Sequence, residues 1–340
     1  MAIDAQIAEL KDQWGGRLVI LGHHYQRPAV LRHCDARGDS LELARLAASR
    51  PQAERIIFCG VRFMAESADI LSRNDQWVFM PDMTAGCPMA NMADAALLTN
   101  ALQAIGAGGV DWCPVVYVNS TAEVKAICGQ RQGSTCTSSN AAQVMDWALK
   151  KGRRVFFLPD EHLGRNTACD LGIPDNAVRL FDPRKLRGGL SRSELDDCRV
   201  LVWKGFCIVH LAFTVEQVQA VRQRFPNARI IVHPESLHEV VAACDAHGST
   251  AQIIRYVENT PDGGTVIVGT ELNLVERLAQ EHAGRITVKA LHPSLCANMA
   301  KTTEASLLEL LEHWPELNRI RVDEATKADA RRALEQMLAL

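Results

Sequence analysis

Short apolar runs alternate along the chain with stretches of helical periodicity. RLVIL at 17–21 is followed by polar GHHYQ and then by GDSLELARLAA, a helix opened by Asp39 or Ser40. RIIFCGV at 55–61 leads into FMAESADIL, where Met64, Ala68 and Leu71 share one helical face, and WVFM at 77–80 leads into PDMTAGC. The middle third repeats the order with PVVYV, NSTAEVKAIC, STCTSSNAAQVMDWA, RVFFLPDEHLGRN and RVLVWKGFC. The last third repeats it again with RIIVHPESLHEVVAAC, GSTAQIIRYV, TVIVGTELNLVERLA and ITVKALHPSLC. Apolar runs of four or five residues alternating with helical patterns predict parallel strands joined by crossover helices, an α/β fold. Residues 1–15 read as an amphipathic helix. The tail carries two more helices, SLLELLEHW and ADARRALEQML, the first with Leu307, Leu310, Leu311 and Trp314 in one stripe.

Each third ends alike: a strand, a tight polar turn and a cysteine. These are Cys87, Cys207 and Cys296, which lie 64 residues after His23, 88 after Asn119 and 63 after His233. The order suggests one site assembled from three similar pieces, with an insertion in the middle piece expected at 181–197. The expected units are 1–88, 89–200 and 201–302, with helices of 303–340 packing on the first.

Composition narrows the ligand class. The 340 residues carry a net charge of -3 and no run of five basic residues, so nothing marks a nucleic-acid or anionic-membrane partner. No apolar run approaches the roughly 18 residues of a membrane span. Eleven cysteines, with Asp4 and Glu9 where a secretory leader would be basic and then apolar, predict free thiols in a reducing cytoplasm. No C-x-x-C occurs, which excludes a local zinc ribbon or ferredoxin run and leaves tertiary folding to build any metal site. Taken singly, a buried cysteine is a small core hydrophobe.

In parallel α/β sheets ligands bind beyond the C-terminal strand ends, where helix N-termini offer free N–H groups to anions. The junctions hold His23, Tyr25, Ser40 and Glu66 in the first third, and Tyr117, Asn119, Ser138 and Ser139 in the second. The third has His210, His233, Glu235, Ser249 and Thr250. Singly, Ser40, Ser138 and Thr250 read as helix caps, and Tyr25 and Tyr117 equally well as core rings. His233-Pro-Glu235 sets an imidazole and a carboxylate two residues apart at a strand mouth, suited to acid–base work. Dinucleotide, Walker A and G-x-S-x-G signatures are all missing. The set suits a small ligand bearing carboxylates or phosphate, and three thiolates would hold zinc or an iron–sulfur cluster.

At these residues the chain resembles the quinolinate synthase family of de novo NAD biosynthesis. The resemblance is carried by GHHYQ, GDSLELAR, GVRFMAES, CPMANM, YVNSTAEVKA, CTSSNA, FLPDEHLGRN, GFCIVH, HPES and GST, in the family's order over about residues 17–305. It implies three pseudo-symmetric three-layer αβα domains around a central cavity. It also implies a 4Fe-4S cluster held by Cys87, Cys207 and Cys296, whose open iron acts as a Lewis acid. The implied reaction condenses iminoaspartate with dihydroxyacetone phosphate, losing phosphate and two waters, with L-aspartate oxidase as a supplier of the imino acid. By motif, His23, Ser40 and Ser138 resemble phosphate-side contacts, while Tyr117, Asn119, His233, Ser249 and Thr250 resemble dicarboxylate contacts. Tyr25 and Glu235 resemble the proton-moving pair, and His210 a group that orients the Cys207 loop. One departure is that HPSLCANMA holds a single cysteine where some members have C-x-x-C-x-x-C. Two other readings compete: a cluster-free, aldolase-like lyase, for which Lys204 is the one junction lysine, and a metal sensor built on the three cysteines.

Overall fold

The computed structural model describes residues 2–106, 109–315 and 317–340. Its strands form three separate sheets. The first contains β1 (Leu18–His23), β2 (Ala36–Gly38), β3 (Arg55–Cys59) and β4 (Trp77–Phe79). The second contains β5 (Trp112–Tyr117), β6 (Ser134–Cys136), β7 (Arg154–Leu158), β8 (Val178–Phe181) and β9 (Val200–Trp203). The third contains β10 (Arg229–Val232), β11 (Ala246–His247), β12 (Thr265–Gly269) and β13 (Thr287–Ala290). A last short strand, β14 (Arg319–Ile320), joins β4 as the one antiparallel pairing among the described residues.

The three sheets share one order. It is β2-β1-β3-β4 in the first, β6-β5-β7-β9 in the second and β11-β10-β12-β13 in the third, all parallel. The predicted repetition is therefore present as topology. The sheets differ only at the far edge, where β14 extends the first and β8 the second. The extra length of the middle third supplies β8 and a capped helix, Arg192–Asp197. Strands β1, β5, β7 and β9 are buried almost throughout, as expected of sheets covered on both faces.

The second strand of each unit was not foreseen. ARG, STC and AH contain no apolar run, and each is an edge strand paired to a single neighbour.

The tail is shared between units. Helix Glu304–His313 sets Leu307, Leu310 and Leu311 in one core with Ile7, Ile20 and Phe79 of the first unit. Helix Glu324–Ala339 instead lies between the first two units. Lys327 pairs with Asp69 at 3.2 Å, and Thr135 donates to the carbonyl of Ala333 at 3.1 Å. Its contact with helix Ala122–Gln130 requires a glycine: a Cβ on Gly129 would lie 1.9 Å from the carbonyl oxygen of Asp329.

Candidate active site

With the strand order common to all three sheets, equivalent strand ends bring equivalent positions to one cavity. The first-strand ends deliver His23 and Tyr25, then Tyr117 and Asn119, then His233 and Glu235; the second-strand ends deliver Ser40, Ser138 and Thr250. The turns after the fourth strands deliver Cys87, Cys207 and Cys296. Ser249, which the family resemblance puts among the dicarboxylate contacts, does not line the wall. It is fully buried, and its hydroxyl caps helix Thr250–Glu258 by accepting from the N–H of Gln252. Capping thus falls to Ser249, and to Asp39 through the N–H of Glu42, freeing Thr250 and Ser40 for the cavity. Glu66 lies off the wall, bound to Arg62 and to the main chain of Ala122.

The three cysteines sit in one local device. Each is followed, three residues on, by the start of a 3-10 turn: Ala90–Met92, His210–Ala212 and Met299–Lys301. Burial pushes the Cys87 thiol up to about 12 and raises Cys207 and Cys296 as well. Cys296 raises Cys87 further, and Cys87 raises Cys207, so the sulfurs feel one another's charge. Main-chain N–H groups pull the other way: Ala90 and Met89 on Cys87, Val209 on Cys207, Met299 and Asn298 on Cys296. Three half-buried thiols, mutually repulsive as thiolates and each supplied with N–H donors, fit a cationic soft-metal centre such as an iron–sulfur cluster.

A second grouping overlaps this one. The ligand atoms of Cys207, His210 and Glu235 lie within 4.8 Å of one another. Both carboxylate oxygens of Glu235 are already engaged, however: Oε1 accepts from the Tyr117 hydroxyl at 2.6 Å and Oε2 meets His210 Nδ1 at 3.2 Å. A mononuclear ion there would have to displace those bonds.

The polar groups form a continuous chain. From Glu235 it runs through His210, whose Nε2 is 3.3 Å from the Thr270 hydroxyl, to the Tyr25 hydroxyl 2.8 Å further on. Thr250 donates to the same tyrosine oxygen at 3.1 Å. Burial opposes ionisation of Glu235, but His210 and His233 beside it and the hydrogen bonds from His210 and Tyr117 outweigh it and hold the carboxyl low. Burial raises both tyrosines, so they are phenols, able to donate.

His23 and His233 are built alike. The Nδ1 of each accepts a main-chain N–H two residues on, from Tyr25 at 3.1 Å and Glu235 at 3.4 Å. An N–H can only donate, so the proton of each neutral ring sits on Nε2. Burial, with the neighbouring charges of Arg277 and His210 respectively, depresses both rings to about 3, leaving them uncharged donors. Asn119 Oδ1 is buried without a hydrogen-bond partner in the protein and belongs to a residue of the cavity wall. Such an atom calls for a donor from a ligand or water.

Sequence reasoning missed Thr270 and gave His210 only an orienting part. Thr270 follows the glycine that ends β12, the same strand-end position that marked the other residues, so the signal was present and unused.

The sequence model of the family described as "Quinolinate synthetase A protein" matches residues 5–339. Among curated proteins, the chain is 46% identical over 345 residues to a quinolinate synthase of Streptomyces coelicolor, covering 99% of this chain and 88% of the relative. It is 46% identical over 344 residues to one from Listeria innocua (99% and 93%), and 45% over 342 residues to one from Corynebacterium glutamicum (98% and 86%).

Proposed function

The chain belongs to the quinolinate synthetase A family, enzymes of NAD biosynthesis, and we propose that it condenses iminoaspartate with dihydroxyacetone phosphate to quinolinate, releasing phosphate and two waters. The observation that carries this reading is the convergence of three thiols, one from each sheet's fourth-strand turn, on a cavity walled by neutral hydrogen-bond donors. Cys87, Cys207 and Cys296 would hold a 4Fe-4S cluster. With three protein ligands such a cluster keeps one iron open, and supplies a Lewis acid that polarises substrate oxygen or nitrogen.

The protein's own groups divide the remaining work. His23, Ser40 and Ser138 receive the phosphate end, offering an Nε2–H and two hydroxyls without a fixed charge. Tyr117, Asn119, His233 and Thr250 receive the dicarboxylate end, and Ser249 contributes through the cap that fixes Thr250. Glu235, held as a carboxylate, takes protons, and Tyr25, held as a phenol, gives them. The chain through His210 and Thr270 links the two. With the Nδ1–H of His210 donating to Glu235, its bare Nε2 faces the Thr270 hydroxyl, so the chain fixes the carboxylate and the phenol relative to each other. L-Aspartate oxidase would supply the imino acid. The protein's free thiols suit a reducing cytoplasm.

Anaerobically reconstituted protein given both substrates should release quinolinate and phosphate in equal amounts. Phosphate release without quinolinate would place the chain among triose-phosphate lyases instead. The Cys207–His210–Glu235 grouping supports a second reading, a mononuclear metal centre, in which zinc rather than iron would accompany the purified protein.

A further inference from the structure

Lys125 is the anomaly of the cavity's surroundings. Its side chain is fully buried, and its ammonium donates to the carbonyl of Ser120 at 2.6 Å and to that of Phe63 at 3.4 Å. Among the described residues, no carboxylate lies within 4.0 Å of its nitrogen. The two carbonyls belong to different units. Ser120 is in the turn after β5, next to Asn119 and three residues beyond Tyr117, while Phe63 is in the first turn of helix Arg62–Leu71. Phe63, Met64, Tyr117 and Asn119 all line the cavity. The ammonium also sits 5.6 Å from the centre of the Phe63 ring.

A lone buried cation costs several kcal/mol unless its donors and charge are well met. Two helices, Arg62–Leu71 and Ala122–Gln130, begin beside this one, and the positive ends of their dipoles add to the cost. Burial accordingly lowers the Lys125 ammonium to about 8, against the opposing charges of Glu66, Glu123 and Cys87. Packing alone does not explain the residue, since a methionine fills much the same volume without a charge. The ammonium does what a methionine cannot: it joins two carbonyls from two units at one point.

We propose that Lys125 is a positioning residue for the reaction, holding the Tyr117–Asn119 wall of the cavity against the Phe63–Met64 wall by clamping the carbonyls of Ser120 and Phe63. The inference rests on the reading above that Tyr117 and Asn119 receive the dicarboxylate end of the ligand. It predicts an uneven loss. The dicarboxylate end depends on the clamp, and the phosphate end, at His23, Ser40 and Ser138, does not.

The test is Lys125→Met in the full, cluster-loaded chain. Iron content should be kept, and the thermal midpoint should hold or rise, because an unpaired buried charge has been removed. The quinolinate Kd should weaken and kcat fall by about 10- to 100-fold, the scale of a small misplacement of binding groups. KM for dihydroxyacetone phosphate should stay within about twofold. Parallel loss of stability, iron and both substrate affinities would reduce Lys125 to a structural residue, and unchanged kinetics would remove its role altogether. If the Met variant does not fold, Lys125→Gln keeps amide donors without the charge. Partial recovery of quinolinate binding with intact iron then supports the clamp, and equal loss at both ends of the cavity overturns it. A wild-type protein that neither binds nor forms quinolinate defeats the functional reading beneath; a wild type that does both, beside an unaltered Met variant, defeats only this inference.

Discussion

The hydroxyl of Tyr117 lies 2.6 Å from Oε1 of Glu235, a buried contact between residues 118 apart in sequence and carried on different sheets. Each comes from the end of its sheet's first strand or just beyond it. Their meeting shows how a repeated topology becomes one site: equivalent strand ends face inward together, and a carboxylate from one sheet is set by a donor from another.

Glu235→Gln should therefore remove turnover and leave the metal centre alone. An amide keeps the shape and can still meet Tyr117, but it cannot take a proton. A loss of about 10²- to 10⁴-fold in kcat is expected, the usual range for a positioned general base. Iron content and quinolinate binding should stay near wild type. Retained turnover would take the proton-moving role from Glu235.

Serine in place of Cys87, Cys207 or Cys296 should each cost most of the bound iron, whereas Cys59→Ser and Cys244→Ser should not. The contrast separates the two metal groupings. If His210→Ala lost the metal and Cys87→Ser kept it, the centre would be the mixed Cys207–His210–Glu235 set.

Three histidines should make the fold acid-sensitive. His23, His24 and His233 are each depressed to about 3 by burial and, after it, by neighbouring positive groups, from an ordinary 6.5. Between those two values the unfolded chain holds protons that the folded chain does not, so stability falls as pH drops below 6.5. The slope approaches about 1.4 kcal/mol per pH unit for each ring. Anaerobic thermal midpoints should fall steadily from pH 7 to pH 5, and His24→Gln should flatten that fall by roughly a third if the three rings contribute alike. A flat profile would mean that these rings charge in the folded state.

Gly129→Val should loosen the C-terminal helix from the second unit. The new side chain would meet the main chain of Asp329, which cannot move without shifting helix Glu324–Ala339. A loss of about 1–3 kcal/mol or more is expected, read in denaturant unfolding.

Much of this was legible in the chain. Runs such as LVIL, RIIF and WVF marked the first, third and fourth strands of a unit because strands covered on both faces are apolar throughout. The second strands were not legible, since ARG, STC and AH are defined by pairing partners rather than by composition. Cysteines after strand-ending turns marked the three thiols of the cavity without any local motif. The cap was misread at Thr250, and the choice between Asp39 and Ser40 stayed open, because neighbouring residues are equally good caps and only the helix start decides between them. Thr270 stood at a strand end like the others and was passed over, whereas Lys125 was invisible: its significance lies in what it touches, a carbonyl 62 residues away, and periodicity carries no such information.

We propose that Cys87, Cys207 and Cys296 hold one cluster open to the ligand of the cavity. The measurement to make first is iron and sulfide per chain in anaerobically purified protein, with the visible spectrum recorded before and after adding quinolinate. About four of each per chain and a spectrum that changes with quinolinate are expected. Zinc in place of iron, persisting after reconstitution, would overturn the assignment.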